Sequence, residues 1–410
     1  RFGKSIFLSM LYSYYDCTQS HKFQSLFGNL WIGQHPTPLQ GKYQVLFLDF
    51  SQITGNIDKL ETKFNSYLSI NLDAFVRQYS EYYQAEMEEI LAQEDFEEKM
   101  ELIFKAAKAH KYHLYLIIDE YDNFTNVILN ERGENVYHAI THADGFYRDV
   151  FKKFKGNFER IFMMGVSPVT LDDVTSGFNI GWNISIKPEF DEMLGFSTTD
   201  VVEMFTYYKE HRSIPADRDI DAIVNDMKPW YDNYCFSRGA LETQSRMFNC
   251  DMVLYYLRNF MNRGEGPKEM IDPNTKTDYN KMRKLIQLDR LDGDRKGIIR
   301  KIAETGQIIT RLEETFPARM ITNPQIFPSL LFYYGMLTIK RLLGDQLVLG
   351  IPNNNVRKQY YTYLLEQYDE VCAVDEMSLK SLFTDMAFDG QWEPALEFMA
   401  QAYAKVSSIR

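Results

Sequence analysis

The sequence predicts an α/β protein whose N-terminal part is built around a parallel sheet. Two observations predict this fold. Short apolar segments typical of buried strands recur along the first 190 residues, and segments with helical periodicity separate them. Strands that alternate with helices favour a parallel sheet covered by helices on both faces, which makes a three-layer core.

The candidate strands are short, apolar and rich in β-branched and aromatic residues. They comprise residues 45–50, 114–118, 161–165 and 182–186. Helical spacing of apolar residues predicts helices directly after residue 5, between residues 57 and 68, and over 136–155. In the first of these helices, the apolar positions expected to share one face are Ile6, Phe7, Met10, Leu11 and Tyr14.

After residue 187 the pattern becomes mainly helical. Apolar periodicity predicts helices at 198–211, 217–228 and 249–263, followed by a long loop rich in Gly and Pro at 264–280. An apolar helix at 325–335 then precedes a hairpin, in which residues 336–342 pair with 346–351 across Gly344-Asp345. A helix followed by a two-stranded wing is the winged-helix pattern.

These patterns divide the chain into four expected regions, of which the last is a mostly helical tail. They are an α/β core at 1–190, a helical lid at 191–265, a basic helical and winged-helix-like region at 266–352, and the tail at 353–410.

Charge and composition exclude several classes of protein. The 410 residues carry a formal net charge of −12, which argues against a chain-wide electrostatic contact with nucleic acid but leaves a local basic patch open. No apolar run approaches the roughly 18 residues that a membrane helix needs, so we expect no membrane contact. The cysteines are scattered without a C-x-x-C pair, which excludes a zinc ribbon and favours a cytoplasmic location. They are Cys17, Cys235, Cys250 and Cys372.

Gly3-Lys4-Ser5 before the first helix has the pattern that ends a phosphate-binding loop. Glycine lets backbone N–H groups close around a phosphate, lysine reaches the β- and γ-phosphates, and the serine hydroxyl binds Mg²⁺. The helix adds the positive end of its dipole. An ordinary loop before a helix would show the same three residues, so this motif alone is weak.

Asp119-Glu120 directly follows the apolar segment 114–118. Acids at the carboxyl end of a parallel strand lie where open α/β sheets bind ligands. In enzymes with such a loop the aspartate binds Mg²⁺ and the glutamate activates water, whereas a strand end with two solvated acids is the plain alternative. The two motifs together, in this order and each at the appropriate end of its element, are far more specific than either alone.

The next candidate strand ends in Gly165-Val166-Ser167. Its polar end should lie near the γ-phosphate, so Ser167 and Thr170 are candidates to sense the nucleotide state. Both residues serve equally well as turn or helix-capping residues.

Five motifs together resemble the bacterial AAA-ATPase-like family, whose members join an AAA-like P-loop ATPase domain to a C-terminal PD-(D/E)XK nuclease-like domain. They are RFGKS at 1–5, LIIDEYD at 116–122, GVSPVTLDDVTSGFNI at 165–180, WYDNYCFS at 230–237 and MFNCDMVLYYL at 247–257. The resemblance extends over residues 1 to about 350.

The resemblance implies ATP and Mg²⁺ as cofactors. It makes Gly3, Lys4 and Ser5 the Walker A residues, Asp119 the Walker B acid of the metal shell, and Glu120 the catalytic base. It also implies that the strand that leads into the Walker A loop precedes Arg1 and that a nuclease-like partner domain follows Arg410. On that basis we expect residues 1–410 alone to bind ATP weakly and to aggregate through unpaired strand edges.

The leading functional expectation is therefore an ATP-binding module that hydrolyses ATP with Mg²⁺ and couples its nucleotide state to a neighbouring domain. The alternative is a module that responds to nucleotide, or only binds partners, without turnover. The family's loop has arginine where a standard P-loop has its leading glycine, and this difference favours the alternative.

A second binding surface is suggested by residues 281–301, which hold eight Lys and Arg against three Asp. Next to a helix and a wing, these cations are candidates for contacts with DNA phosphates, with Arg290, Arg295, Lys296 and Arg300 as the residues to test. The alternative is pairing within the chain, with the acidic segment 81–101 or with the lid.

Other patterns in the sequence are less specific for a function. Asp49 with Glu61-x-Lys63 has a nuclease-like spacing but falls on a predicted helix rather than a strand. His138 and His142 have the spacing of a metal pair without a third ligand. Asp122 is expected either behind the acid pair or on the surface. Aromatic residues are expected to pack the junction of core and lid, with base stacking as the alternative. They are Trp230, Tyr231, Tyr234 and Phe236.

Overall fold

A computed structural model describes residues 2–53, 59–123, 146–170, 181–272, 283, 285–286, 293–372 and 375–407. The predicted pair His138 and His142 lies outside these residues, as does Arg290. Over the described part the chain is mixed α/β with a parallel sheet in its N-terminal part, so the predicted α/β class is confirmed.

The central sheet has three parallel strands in the order β1-β2-β3. They are β1 (Tyr43–Asp49), β2 (His113–Asp119) and β3 (Arg160–Met164). The strands predicted at 45–50, 114–118 and 161–165 are thereby confirmed. Asp49 and Asp119 are direct register partners at the carboxyl ends of β1 and β2.

The α-helices of the described residues cover both faces of this sheet and most of the later chain. They are α1 (Lys4–Tyr15), α2 (Phe23–Phe27), α3 (Trp31–Gln34), α4 (Leu60–Gln78), α5 (Met87–Ala92), α6 (Phe96–His110), α7 (Phe146–Asn157), α8 (Thr198–Glu210), α9 (Ile220–Tyr231), α10 (Gly239–Glu242), α11 (Cys250–Arg263), α12 (Arg295–Thr305), α13 (Phe327–Tyr333), α14 (Asn354–Cys372), α15 (Glu376–Asp389) and α16 (Glu393–Ser407).

Strand alternation assigns the two faces of the sheet to different helices. Leu114, Leu116 and Ile118 of β2 point into a large apolar cluster formed with α4, α6 and α7. Tyr115 and Ile117 point to the opposite face, where a smaller cluster packs them against α1. Because Asp119 continues the second set, its side chain emerges on the α1 side.

Helix α1 is confirmed, and its predicted apolar face is confirmed in part, since Phe7 and Leu11 pack against the sheet cluster. Leu8 and Tyr14 are buried, whereas Ile6 and Met10 are exposed. Apolar residues surround much of this helix, so their spacing does not decide which face meets the sheet.

Residues 182–186 do not form a strand, and that prediction was wrong. The side chain of Asn183 accepts a hydrogen bond from the Ser185 amide at 3.0 Å and donates one to the Glu314 carbonyl at 2.7 Å. The Lys187 amide donates to the Ile184 carbonyl at 3.2 Å. An Asn side chain that bonds to the backbone two residues further along supports a turn, and here the turn replaces the strand.

Helices α8, α9 and α11 share an apolar core separate from the two sheet clusters. Its fully buried members include Phe205, Met227 and Phe248. The helices lie close to the predicted ranges 198–211, 217–228 and 249–263, which confirms them as helices. Of the predicted loop 264–280, residues 264–272 are described and contain neither helix nor strand.

The C-terminal region contains a second sheet, which is antiparallel with the order β5-β8-β7. Its strands are β5 (Gln307–Thr310), β7 (Thr338–Leu343) and β8 (Gln346–Gly350). The predicted hairpin is therefore confirmed, and α13 precedes it. Two further short strands, β4 (Val169–Thr170) and β6 (Phe316–Pro317), pair in parallel and join the N-terminal core to this region.

Within the described residues, no helix is long and apolar enough to cross a membrane.

Candidate functional site

The acid at the end of β2 meets the start of α1. Ser5 Oγ donates a hydrogen bond to Asp119 Oδ2 at 2.7 Å, across 114 residues of sequence. Asp119 is buried, while Ser5 lies at the surface of the first helical turn. The structure thus brings together two of the predicted site residues, because the carboxyl end of β2 and the N-terminal end of α1 share one edge and one face of the sheet.

Gly3 forms the N-terminal boundary of α1 with a left-handed backbone, φ 84° and ψ 17°. A side chain is strained in this conformation, so the position favours glycine. Gly3 offers no side-chain cap, and the first N–H groups of a helix lack partners within it. The amides at the start of α1 therefore form a local positive pole that suits an anion.

Cys250 borders this loop. A Cβ atom placed on Gly3 would lie 3.6 Å from Cys250 Sγ. Burial raises the pKa of the Cys250 thiol to about 11, so the thiol stays neutral near pH 7 and adds no negative charge beside the loop.

Lys4 contributes to the wall of a cavity of about 290 Å³ at the carboxyl end of β3. The same wall contains Tyr121 and Ser167, and most of the remaining lining is apolar or aromatic. Lys4 and Ser167 come from elements far apart in the sequence, yet the fold places them on one cavity.

Glu120 has a positive φ of 53°, which is uncommon for a residue other than glycine. Its amide donates to Asp119 Oδ1 at 2.9 Å, and the Asn123 amide donates to the Glu120 carbonyl at 2.9 Å. The chain therefore turns sharply as it leaves β2. Backbone outliers of this kind cost about 1–3 kcal/mol and cluster at functional sites.

Asp122 was predicted to lie either behind the acid pair or on the surface. It is buried, which excludes the surface alternative. Its carboxylate accepts from the Val166 amide at 3.1 Å, from the Ser167 amide at 2.8 Å and from Ser167 Oγ at 2.8 Å. Asp122 thereby fixes the loop that follows β3.

Gly165 makes this approach sterically feasible. A Cβ atom at residue 165 would lie 2.4 Å from Asp122 Oδ1 and 2.8 Å from Tyr121 Cε1, which are impossible contacts. A glycine directly after an apolar strand is the signal in the sequence that could have indicated a close neighbour here.

Ser167 is buried and its hydroxyl hydrogen is directed to Asp122. Its role as a sensor of the γ-phosphate stays a prediction. The backbone of Thr170 belongs to the short strand β4.

Tyrosines support the loop after β2. Tyr121 Oη donates to the Ser167 carbonyl at 3.0 Å, and Tyr147 Oη donates to the Tyr121 carbonyl at 2.6 Å. Burial raises the pKa of both phenols well above their ordinary value, so both stay neutral donors.

The donor set at Ser5 and Asp119 fits Mg²⁺. Both side chains offer hard oxygen atoms, the ligand type that Mg²⁺ prefers, and they are already in hydrogen-bond contact. Within the described part of the chain, no three His, Cys, Asp or Glu side chains are grouped to hold a metal by themselves. Such a site suits an ion that takes one or two protein ligands and completes its shell with phosphates and water.

The basic segment does not present all of its predicted cations. Arg295 is completely buried and donates to the carbonyls of Leu285 and Ile321, so its assignment as a DNA contact was wrong. Lys296 and Arg300 are exposed on α12. Arg283 lies 3.7 Å from Glu366, so it pairs with α14 rather than with the acidic segment 81–101.

The remaining candidate residues lie in a helix or pack in the apolar clusters. Glu61 and Lys63 lie in α4, which agrees with the helix expected there rather than with a nuclease strand. Tyr231 is buried in the core of α8, α9 and α11, and Tyr234 is buried in the large sheet cluster. Phe2 packs edge-on against Tyr234 and Phe236, with ring centroids 4.7 and 5.2 Å apart. Tyr231 and Tyr234 are therefore packing residues, whereas their place at a junction of core and lid stays a prediction.

A comparison with known proteins finds a family match for the first part of the chain. Residues 1–175 match the model of the AAA-ATPase-like family, which is described as Predicted AAA-ATPase. No curated protein and no solved structure matches the chain. The matched range contains Gly3, Lys4, Ser5, Asp119, Glu120 and Ser167.

Proposed function

Since residues 1–175 match the model of a family of predicted AAA-ATPases, we propose that this protein binds ATP at the junction of α1 and β2 and hydrolyses it with Mg²⁺. The observation that carries the proposal is the 2.7 Å hydrogen bond from Ser5 to Asp119. It joins the two motifs whose combination is specific for a P-loop enzyme.

The chain's own residues divide the chemistry among them. The amides after Gly3 and the ammonium group of Lys4 bind the phosphates and neutralise their charge. Ser5 and Asp119 would hold Mg²⁺, which would supply positive charge to neutralise the negative charge on the phosphate oxygens. Glu120 orients the attacking water and accepts its proton.

We further propose that α8, α9 and α11 form a lid beside the nucleotide, and that α13 with the β7–β8 hairpin forms a winged-helix-like unit. The separate apolar core of the three helices and the helix-then-hairpin order support these assignments. Nucleotide state would be passed to a neighbouring domain, for which the family resemblance implies a nuclease-like one.

Glu120→Gln is expected to retain ATP binding and to abolish hydrolysis. The amide keeps the size and shape of the side chain but cannot accept a proton at neutral pH. We expect the rate of phosphate release to fall by about 10²–10⁴-fold, the usual contribution of a general base. The measurement is phosphate release with Mg²⁺ and ATP, alongside calorimetric ATP affinity.

Glu159→Gln is the matched control, because Glu159 precedes β3 and pairs with His113 at the far end of the sheet. This variant should hydrolyse ATP like the wild type. Equal rates in wild type and Glu120→Gln would contradict the base assignment. A wild type that binds ATP without releasing phosphate would establish the alternative, a module that responds to nucleotide without turnover.

We also propose a local contact with DNA through the exposed cations of α12. Lys296→Ala with Arg300→Ala should weaken DNA binding and flatten its salt dependence, because each lost phosphate contact lowers the number of counterions released. The measurement is DNA affinity between about 50 and 200 mM salt.

The matched control replaces two exposed lysines of α6, Lys105 and Lys108, by alanine, which removes the same charge elsewhere. If both double variants show the same salt slope as the wild type, α12 does not contact DNA.

A further inference from the structure

The loop after β2 and the loop after β3 are held together by one buried carboxylate. Asp122 accepts three hydrogen bonds from Val166 and Ser167, two from backbone amides and one from a hydroxyl. A carboxylate is a pure acceptor, so it satisfies three convergent donors in a way that an amide side chain cannot. Tyr121 adds a fourth bond between the loops by donating to the Ser167 carbonyl at 3.0 Å.

The first of these loops starts at Asp119 and Glu120, the proposed metal ligand and the proposed general base. Glu120 has its left-handed backbone two residues before Asp122, and its amide bonds to Asp119 Oδ1. Only Glu120 and Tyr121 separate Asp119 from Asp122 along the chain, so the acid pair and Asp122 belong to one short, hydrogen-bonded turn.

The second loop leads directly into the C-terminal region. Pro168 and Val169 follow Ser167, and Val169 pairs with Phe316 in the parallel β4–β6 contact. The Phe316 amide donates to the Pro168 carbonyl at 3.4 Å. From Asp119 to Phe316 the path thus consists of short covalent segments and hydrogen bonds among buried and partly buried groups.

We propose that Asp122 is a positioning residue that couples the acid pair Asp119-Glu120 to the β4–β6 contact, and through it to the C-terminal region. Asp122 acts through the loop 165–167 and takes no part in the chemistry itself. The nucleotide-dependent part of the coupling rests on the proposed function, whereas the mechanical coupling does not.

The test without nucleotide is amide hydrogen exchange in the wild type and in Asp122→Asn. In asparagine, an NH₂ group, which cannot accept, replaces one carboxylate oxygen, and the remaining carbonyl is a weaker acceptor. The hydrogen bonds from the Val166 and Ser167 amides are therefore lost or weakened. Exchange of these amides should accelerate about tenfold or more, as expected for lost bonds to a charged acceptor. The Phe316 amide, which does not contact Asp122, should accelerate as well. Acceleration at Val166 and Ser167 with an unchanged Phe316 would overturn the proposal.

Asp16→Asn is the matched control for the loss of a buried carboxylate. Asp16 is fully buried at the C-terminal end of α1 and accepts from the Thr18 amide at 2.7 Å, far from the loop 165–167. This variant should change exchange at Phe316 no more than at other core amides. Equal acceleration in both variants would mean a general loss of stability and would overturn the coupling.

A milder variant covers the case in which Asp122→Asn fails to fold. Ser167→Ala removes one hydroxyl donor and retains the backbone bonds, so it should accelerate exchange at Phe316 in the same direction by a smaller factor. An unchanged Phe316 in this variant, with faster exchange at the Val166 amide, would count against the coupling.

Addition of Mg²⁺ and ATP separates this inference from the proposed function. In the wild type, nucleotide should slow exchange at Phe316. In Asp122→Asn, ATP affinity by calorimetry should stay within a small factor of the wild type, while the response at Phe316 and the turnover number both fall. Failure of the wild type to bind ATP would refute the proposed function and leave the nucleotide-free comparison decisive for Asp122. A full nucleotide response at Phe316 in Asp122→Asn would overturn the coupling.

Discussion

Lys4→Ala is expected to remove most of the affinity for ATP. The lysine begins α1 and is half-buried in the wall of the cavity that Ser167 also lines, where a bound triphosphate would meet its ammonium group. One unit charge at 4 Å from a phosphate is worth about 4 kcal/mol at an effective dielectric of 20, and partial exposure reduces this value. A loss of at least about tenfold, or about 1.4 kcal/mol, should remain. Calorimetry with Mg²⁺ and ATP measures it directly.

Lys22→Ala is the control for the loss of one positive charge in the same part of the chain. Lys22 is exposed beyond the far end of α1, before α2. This variant should bind ATP with wild-type affinity. If Lys4→Ala and Lys22→Ala bind equally well, the phosphates do not contact Lys4 and the proposed site is wrong.

Lys4→Arg distinguishes charge from geometry. Arginine keeps the positive charge but replaces a compact ammonium group with a planar fork on a longer stem. In a loop closed by the left-handed Gly3, that fork should not fit, so affinity should recover only in part. Full recovery would indicate that net charge alone, rather than the position of Nζ, accounts for the effect of Lys4.

The central sheet could be predicted from the sequence because the signal for each strand lies within the strand itself. Buried parallel strands are continuous apolar runs, so 114–118 stands out without knowledge of its neighbours. The meeting of Ser5 and Asp119 also follows from a general rule, since parallel strands present their carboxyl ends at one edge. The sequence did not reveal the 2.7 Å hydrogen bond between Ser5 Oγ and Asp119 Oδ2. It forms because the alternation along β2 places the Asp119 side chain on the face that α1 covers.

Other parts of the site depend on partners far away in the sequence. The partners of Asp122 lie 44 and 45 residues further along, so no local pattern distinguishes this carboxylate from a surface acid. At residues 182–186 the error was the opposite one, because a local pattern was present but did not determine the structure. Their apolar alternation suggests a strand, but Asn183 bonds to its own neighbour and to Glu314, which no periodicity reveals.

The basic segment shows why a count of charges does not locate a binding surface. In the sequence, Arg295 and Arg300 are equivalent members of one cationic run. In the structure the first is completely buried and the second is exposed. A buried arginine must satisfy its donors within the protein, and here two carbonyl groups accept from its guanidinium group.

Arg295→Ala is therefore expected to destabilise the fold rather than to weaken a nucleic-acid contact. The guanidinium group donates to the carbonyls of Leu285 and Ile321, and its Cζ lies 4.7 Å from the ring centroid of Phe327. Hydrogen bonds that involve a charged group contribute about 1.5–3 kcal/mol each, and their loss here leaves two buried carbonyl groups without these donors. Removal of the long side chain also opens a cavity.

We expect the free energy of unfolding to fall by about 3–5 kcal/mol in Arg295→Ala, measured by denaturant titration. Arg300→Ala on the same helix is the control, and an exposed substitution should stay within about 0.5 kcal/mol. At a temperature where Arg295→Ala is folded, its DNA affinity should retain the wild-type salt slope, because a buried charge releases no counterions from DNA. Equal stability of the two variants would show that Arg295 is not held by these carbonyls. A flattened salt dependence of DNA affinity in folded Arg295→Ala would show that Arg295 contacts DNA.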